Sequence, residues 1–152
     1  MKYTSAEVVF REVPDEIALT IDISNCHIGC KNCHSKFLWQ DIGTELTTEE
    51  LDKLIDTNKG ITCVAILGGD SAINDVISCC KHIKERGLKT CWYSGRFLTP
   101  GDILKYLDFI KLGPYIEECG GLDKLTTNQR FYKVVDGELV DITKKFYDIV
   151  RT

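Results

Sequence analysis

A chain of 152 residues with 43% hydrophobic and 28% charged residues has the size and composition of a single globular domain with its own core. The formal net charge of −4 gives no basic surface for nucleic acid, and no apolar stretch approaches the length of a membrane span. The N-terminal segment lacks the apolar core of a signal peptide. We therefore expect one domain, residues 1–152, in the cytoplasm, with neither nucleic acid nor a membrane as partner.

The first half of the chain predicts two strands, a helix and a third strand. Residues 7–13 fit a strand, and the alternation of apolar and polar side chains over 17–23 predicts a second one. Thr47 and Glu50 form a capping box, which marks the start of a helix. The short apolar run over 61–67 then predicts a buried strand.

The second half continues the same alternation of helix and strand. Apolar side chains recur at helical spacing over 73–87, and the segments 88–93 and 109–112 predict two further strands. Between these two strands, Thr99 and Pro100 signal the first turn of another helix.

The C-terminal part predicts a hairpin, in which Asp136-Gly137 separates the strand patterns 131–135 and 138–141. Because strands and helices alternate through the middle of the chain, we expect an α/β fold with a parallel sheet and crossover helices. A closed eight-stranded barrel of this kind needs about 250 residues, so this chain supplies only part of one.

Eight cysteines are many for this chain, and three of them lie close together. Cys26, Cys30 and Cys33 follow the second predicted strand with the spacing Cys-x3-Cys-x2-Cys. Three thiolates on one loop are able to hold a [4Fe–4S] cluster in which one iron has no protein ligand, and an open iron is a place for chemistry. On spacing alone, a structural zinc site with His27 or His34 as fourth ligand stays open.

The other five cysteines are spread along the chain rather than clustered. Without an export signal, four disulfides are not expected. We predict that these residues serve as small buried hydrophobes: Cys63, Cys79, Cys80, Cys91 and Cys119.

Three segments whose residues could bind a metal or a ligand each follow a predicted strand. They are the cysteine run, Gly68-Gly69-Asp70 and Ser94-Gly95. Because parallel strands bring their carboxyl ends to the same edge of a sheet, we expect these segments to meet at one rim.

The cysteine run, taken together with three later segments, resembles the radical S-adenosylmethionine (SAM) family, and within it the activating proteins of anaerobic (class III) ribonucleotide reductase. The matching segments are 24–35, 67–70, 113–116 and 127–130, in the order of that family. The resemblance favours an iron–sulfur cluster over zinc. It also implies an open, incomplete TIM-like (β/α) barrel of the radical SAM type, with a C-terminal hairpin.

The resemblance implies that Cys26, Cys30 and Cys33 each bind one iron of a [4Fe–4S] cluster, and that SAM chelates the fourth iron. Reduction of the cluster by one electron would then cleave SAM and release a deoxyadenosyl radical. Because the cofactors carry the hard chemistry, we expect no side chain to act as a catalytic acid or base.

One group of SAM contacts implied by the resemblance lies in the cysteine loop and consists of Asn32, Cys33 and His34. His34 stands near the position that the family gives to the SAM adenine. At Asn32 many radical SAM proteins carry an aromatic residue, whereas the reductase activators commonly carry a small one.

The second group of implied SAM contacts is Gly68, Gly69 and Asp70. Glycines let the backbone approach a ligand closely, and the resemblance places this turn at the methionine end of SAM. Asp70 would then help to hold the SAM ammonium group. The alternative is an ordinary strand-to-helix turn, with Asp70 or Ser71 as helix N-cap.

The function implied by the resemblance is that of an oxidoreductase, a radical SAM activase. It would abstract a hydrogen atom from a glycine of anaerobic ribonucleoside-triphosphate reductase and leave a glycyl radical there. A one-electron donor such as flavodoxin or ferredoxin would reduce the cluster. In this family Asn128, Gln129 and Arg130 match a late motif, which would either face the partner or brace the barrel.

Three other functions stay open. The first is activation of another glycyl-radical enzyme, although such activases often carry an inserted ferredoxin-like domain that this chain lacks. The second is radical SAM chemistry on a small molecule. The third is a metal-binding module without turnover, either a zinc-braced adaptor or an iron–sulfur redox sensor.

Overall fold

The computed structural model describes residues 1–24, 42–99 and 102–151. The strands in these ranges are β1 (Lys2–Val9), β2 (Ala18–Ile23), β3 (Thr44–Glu45), β4 (Cys63–Leu67), β5 (Lys89–Tyr93), β6 (Phe109–Leu112), β7 (Arg130–Val135) and β8 (Glu138–Asp141). The helices are α1 (Thr48–Thr57), α2 (Ile73–Glu85), a 3₁₀-helix (Ile103–Tyr106) and α3 (Lys144–Arg151). Within the described ranges, no helix has both the length and the apolar character needed to cross a membrane.

The eight strands form one mixed sheet in the order β3-β1-β2-β4-β5-β6-β7-β8. The four central strands, β2, β4, β5 and β6, pair in parallel, and the strand pairs at both edges are antiparallel. The predicted open, incomplete TIM-like barrel is therefore wrong. The described chain is a sheet that does not close, with few helices rather than one after every strand.

The connections between strands explain why no barrel forms. A parallel pair needs a crossover of about a dozen residues or more, usually a helix. The connection 10–17 between β1 and β2 is too short for a crossover, and these two strands pair antiparallel. At the other edge Asp136 and Gly137, with φ of 52° and 79°, make the predicted two-residue hairpin turn. Repeated strand–helix units are therefore confined to the centre of the chain.

Local sequence patterns predicted the positions of several helices and strands correctly. Thr47 Oγ1 accepts a hydrogen bond from Glu50 N at 3.1 Å, which confirms the predicted start of α1. The bounds of β6 coincide with the predicted segment 109–112.

Two other elements differ from their predictions. The first strand covers Lys2–Val9 rather than 7–13, because the register with β2 ends where Val9 pairs with Ala18. Val13 is nevertheless fully buried, which accounts for its apolar character outside a strand. Between β5 and β6 the described residues contain the 3₁₀-helix in place of the predicted α-helix, and Pro100 lies outside the described residues.

The sheet carries a hydrophobic core on each face. On one face the buried sides of α1 and α2, including Leu51 and Val76, pack against strand residues such as Trp92. On the other face Cys91 and Phe131 belong to a second cluster. Since successive side chains of a strand point to opposite faces, both faces of the central strands are buried and only their ends are open to a ligand.

Candidate functional site

The carboxyl ends of the parallel strands lie side by side at one rim of the sheet. In their register Asp22 pairs with Leu67, Leu67 with Tyr93, and Tyr93 with Lys111. The loops that follow β2, β4, β5 and β6 therefore leave the sheet next to one another. This confirms the predicted meeting of the turn at 68–70 with the loop after β5.

The predicted iron ligands lie outside the described residues, as do the predicted SAM contacts of the cysteine loop. The range 25–41 contains Cys26, Cys30, Asn32, Cys33 and His34. The described chain reaches Ser24, directly after β2, and the loop starts from there. Among the residues that the structure describes, no three His, Cys, Asp or Glu side chains are grouped so that they could hold a metal ion.

The remaining five cysteines are free thiols. Cys63, Cys79, Cys80 and Cys91 are buried, as predicted, whereas Cys119 is only half-buried. Burial raises the pKa of Cys79 to about 11 and that of Cys80 to about 12. Since the thiolate is the form that binds metal, such thiols are poor ligands at neutral pH.

Gly68 and Gly69 form the turn after β4, with φ of 104° and 89°. Both glycines are in close contact with neighbouring parts of the protein. Gly68 N donates a hydrogen bond to Tyr93 O at 3.0 Å, and Gly68 O accepts one from Trp92 Nε1 at 2.7 Å. A Cβ added to Gly69 would lie 2.6 Å from Val76 Cγ2 on α2. Packing alone therefore requires glycine at 69, whatever the turn binds.

Asp70 is buried, and its carboxylate joins the loop after β4 to the loop after β5. Ser94 Oγ donates a hydrogen bond to Asp70 Oδ1 at 2.5 Å, and Gly95 N donates one to Asp70 Oδ2 at 2.9 Å. The N-cap of α2 is Ala72, which offers no side-chain oxygen, so neither Asp70 nor Ser71 caps this helix. Both carboxylate oxygens of Asp70 thus have partners inside the protein.

Arg96 is a rim residue that the sequence analysis did not single out. Its Nη2 donates a hydrogen bond to Asp70 O at 2.9 Å, and its Nε lies 3.4 Å from Asp70 Oδ1. This Nε is buried and has no hydrogen-bond partner in the described part of the chain. Gly113 N in turn donates to Arg96 O at 2.6 Å. The sequence feature that could have indicated Arg96 is its position directly after Ser94-Gly95, at the end of a predicted strand.

Two adjacent clefts that open at this rim are lined by described residues. The larger, of about 530 Å³, is lined by 70–75 and by Arg96. The smaller, of about 170 Å³, reaches from Ser24 to Ser71 and Ala72, and so connects the larger cleft to the start of the cysteine loop. The larger cleft has the volume of a small-molecule site.

The late motif lies next to the loop after β6. Asn128 Nδ2 donates a hydrogen bond to Pro114 O at 3.1 Å, and Gln129 Nε2 donates one to Gly113 O at 3.4 Å. Lys111 Nζ also donates to Gly113 O, at 3.1 Å. Of the two roles considered for this motif, these contacts fit bracing of the rim.

Comparison with protein families gives a match to the family described as a 4Fe-4S single cluster domain, over residues 17–132. This range includes the three cysteines of the run and all four loops of the rim. A comparison with curated proteins finds no match.

Proposed function

The chain belongs to the family of 4Fe-4S single cluster domains, and from this membership we propose that it is a radical SAM activase. In this proposal Cys26, Cys30 and Cys33 hold one [4Fe–4S] cluster, and SAM is the second cofactor. The substrate is a glycine of anaerobic ribonucleoside-triphosphate reductase, which becomes a glycyl radical. A flavodoxin or ferredoxin supplies the electron. The family match indicates the cluster, while the activity, SAM and the partner are the proposed part.

One structural relationship carries the proposal: the cysteine loop leaves the sheet beside the turn predicted to bind SAM. β2 and β4 are parallel neighbours, and a Cβ added to Gly68 would lie 3.2 Å from Ile23 O at the end of β2. Cys26 follows three residues later in the sequence. A cluster on that loop would therefore be close to a cofactor held at the rim.

The described residues of the rim fit a cofactor with a charged amino-acid end. The cleft of about 530 Å³ borders the Gly68–Asp70 turn at Asp70. Its lining includes Arg96, whose buried Nε donor has no hydrogen-bond partner in the described residues. A partly exposed arginine beside a cleft favours an anionic group on the ligand.

When bound, the cluster and SAM would supply the radical chemistry. The chain itself would bind and orient them. Asp70 fixes the loops after β4 and β5 to each other, and Gln129 and Lys111 hold the loop after β6 through Gly113 O. These contacts keep the rim in one geometry before any ligand arrives, which reduces the entropy lost on binding.

A second candidate is an iron–sulfur redox module without turnover. The observation that favours it is that the positive φ of Gly68 and Gly69 and the internal hydrogen bonds of Asp70 explain these residues without SAM. The family match supports this candidate as much as the first. The two differ in one property, since only the activase cleaves SAM.

The test of the activase is anaerobic reduction of the cluster-loaded protein with SAM and the anaerobic reductase, followed by electron paramagnetic resonance. We expect a glycyl radical signal, and no such signal when the reductase lacks the target glycine. SAM cleavage should be slow without the reductase.

Each departure from this result has its own meaning. A signal of equal size with an unrelated glycyl-radical enzyme would leave the chemistry intact but contradict the choice of partner. A loaded, reduced protein that cleaves no SAM under any condition would favour the redox module.

A further inference from the structure

Asp70 is the acidic residue expected at the ammonium group of SAM, yet its carboxylate faces the next loop. Its two oxygens accept hydrogen bonds from Ser94 Oγ and Gly95 N. With only 6% of its surface exposed, it has little capacity left for a ligand. A charged contact between the protein and a ligand at this turn would therefore come from a residue other than Asp70.

Arg96 is placed to provide that charge. It lines the cleft of about 530 Å³, and its side chain is 41% exposed, although Nε itself is buried. Its hydrogen bond to Asp70 O uses one of five N–H donors. Nε is buried beside the Asp70 carboxylate, 3.4 Å from Oδ1, so a ligand in the cleft would meet the terminal Nη nitrogens.

The other charged side chain that lines the cleft is Asp75. Its Oδ2 lies 3.2 Å from the amine of Met1, so this carboxylate already has a cation beside it. Asp70 and Asp75 are both acidic, so Arg96 is the cationic side chain among the described residues that line this cleft. A guanidinium pairs best with a carboxylate, through two parallel N–H···O bonds.

We infer that Arg96 binds the carboxylate of SAM at the methionine end, and that Asp70 is a positioning residue which holds Arg96 and the loop after β5 in place. This inference rests on the proposed function. It exchanges the roles expected from the sequence: the acidic residue organises the protein, and a basic residue from the next loop contacts the ligand.

The test compares binding of SAM and of decarboxylated SAM to the anaerobically loaded protein by isothermal titration calorimetry. Arg96→Gln should weaken SAM binding by about 10- to 100-fold, the usual effect of losing a charge-assisted hydrogen bond. Decarboxylated SAM should change by less than about threefold, because it has no carboxylate to lose. Iron content and melting temperature are measured on the same samples.

Two further variants keep the result interpretable. Arg86→Gln removes an arginine that pairs with Asp52 and Asp56, away from this cleft, and should leave both affinities unchanged. Arg96→Lys keeps the charge but not the fork, and should weaken SAM alone, by less than Arg96→Gln. It also serves as the test variant if Arg96→Gln does not fold.

The inference fails if Arg96→Gln binds SAM as wild type does, or if it loses SAM and the decarboxylated analogue to the same extent, which would indicate a purely structural role. The proposed function fails separately. In that case the wild-type loaded protein binds neither ligand, and the inference falls with it.

Discussion

The hydroxyl of Ser94 donates a hydrogen bond to the carboxylate of Asp70 across 24 residues of sequence, and both side chains are buried. Gly95 N donates to the same carboxylate. Through these bonds the loops after two neighbouring parallel strands act as one unit at the rim where the cofactors are proposed to bind. The stability of the protein should therefore depend on this pair.

Ser94→Ala should lower the free energy of unfolding by about 1–3 kcal/mol, because it leaves a buried carboxylate oxygen without its donor. Urea unfolding monitored by circular dichroism measures the change. The matched control is Ser78→Ala on α2, where an exposed hydroxyl donates only to Asn74 O; it should stay within about 0.5 kcal/mol of wild type. Equal effects of the two substitutions would contradict the structural importance assigned to Asp70.

Gly69→Ala should destabilise the protein strongly, by about 2–5 kcal/mol. The added Cβ would stand 2.6 Å from Val76 Cγ2, and the residue would keep a φ of 89° that disfavours side chains. Gly87→Ala shares the positive φ, at 77°, but its Cβ would meet nothing within 4 Å. It should cost only about 1–2 kcal/mol.

The comparison of these two glycines separates crowding from backbone strain. If crowding against α2 is the cause, Val76→Ala should reduce the extra cost of Gly69→Ala in the double mutant. Thermal unfolding of the four variants gives the result. Identical costs at both glycines would show that Val76 imposes no constraint.

The cysteine loop should account for all of the bound iron. Cys26→Ala, Cys30→Ala and Cys33→Ala should each lose the cluster and any SAM cleavage, because each removes one of three iron ligands. Cys119→Ala is the control and should keep both, since its thiol is a half-buried, free cysteine apart from the run. Iron and sulfide analysis of the anaerobically reconstituted variants measures how much cluster each one retains. An intact cluster in any of the first three variants would refute the ligand assignment.

The contact between α1 and α2 should weaken in acid. His82 Nε2 and Arg86 Nη1 lie 2.6 and 2.7 Å from Asp52 Oδ1, and these hydrogen bonds, that of His82 first, hold the pKa of Asp52 below its usual value. Because the folded pKa is lower than the unfolded value of about 3.9, ionised Asp52 favours folding. That contribution is present above the unfolded pKa and is lost as the pH falls through the folded pKa.

Asp52→Asn should therefore reduce the fall in stability between about pH 5 and pH 3, as measured by urea midpoints across that range. In a background that carries both His82→Gln and Arg86→Gln, the same substitution should have a smaller effect, since both donors are gone. An Asp52→Asn profile parallel to that of wild type would exclude Asp52 as a source of the acid sensitivity.

Several elements of the fold followed from local patterns. The capping box at Thr47, the strand at 109–112 and the Asp136-Gly137 turn are signals within a few residues, and the structure contains each of them. The prediction of an open, incomplete TIM-like barrel, which came from the family resemblance, was wrong because the strands at both edges pair antiparallel. The edges are set by connections too short or too irregular to make a crossover.

For the candidate site, the sequence by itself determined the chemistry that is available. The spacing of Cys26, Cys30 and Cys33 predicts a metal site, either an iron–sulfur cluster or zinc, and the strand pattern before Gly68 and Ser94 predicts that their loops meet. These inferences need only the period of side chains along a strand and the chemistry of thiolates.

Only the tertiary structure decided how the rim residues use their polar groups. Asp70 pairs with Ser94, and Arg96 lines the cleft, because parallel pairing of β4 with β5 brings together loops that are 24 residues apart in the chain. The direction of a buried carboxylate is set by the donors around it, and such donors come from distant segments. No local pattern carries that information, which is why the pairing of Asp70 with Ser94 and the position of Arg96 beside the cleft were not predicted.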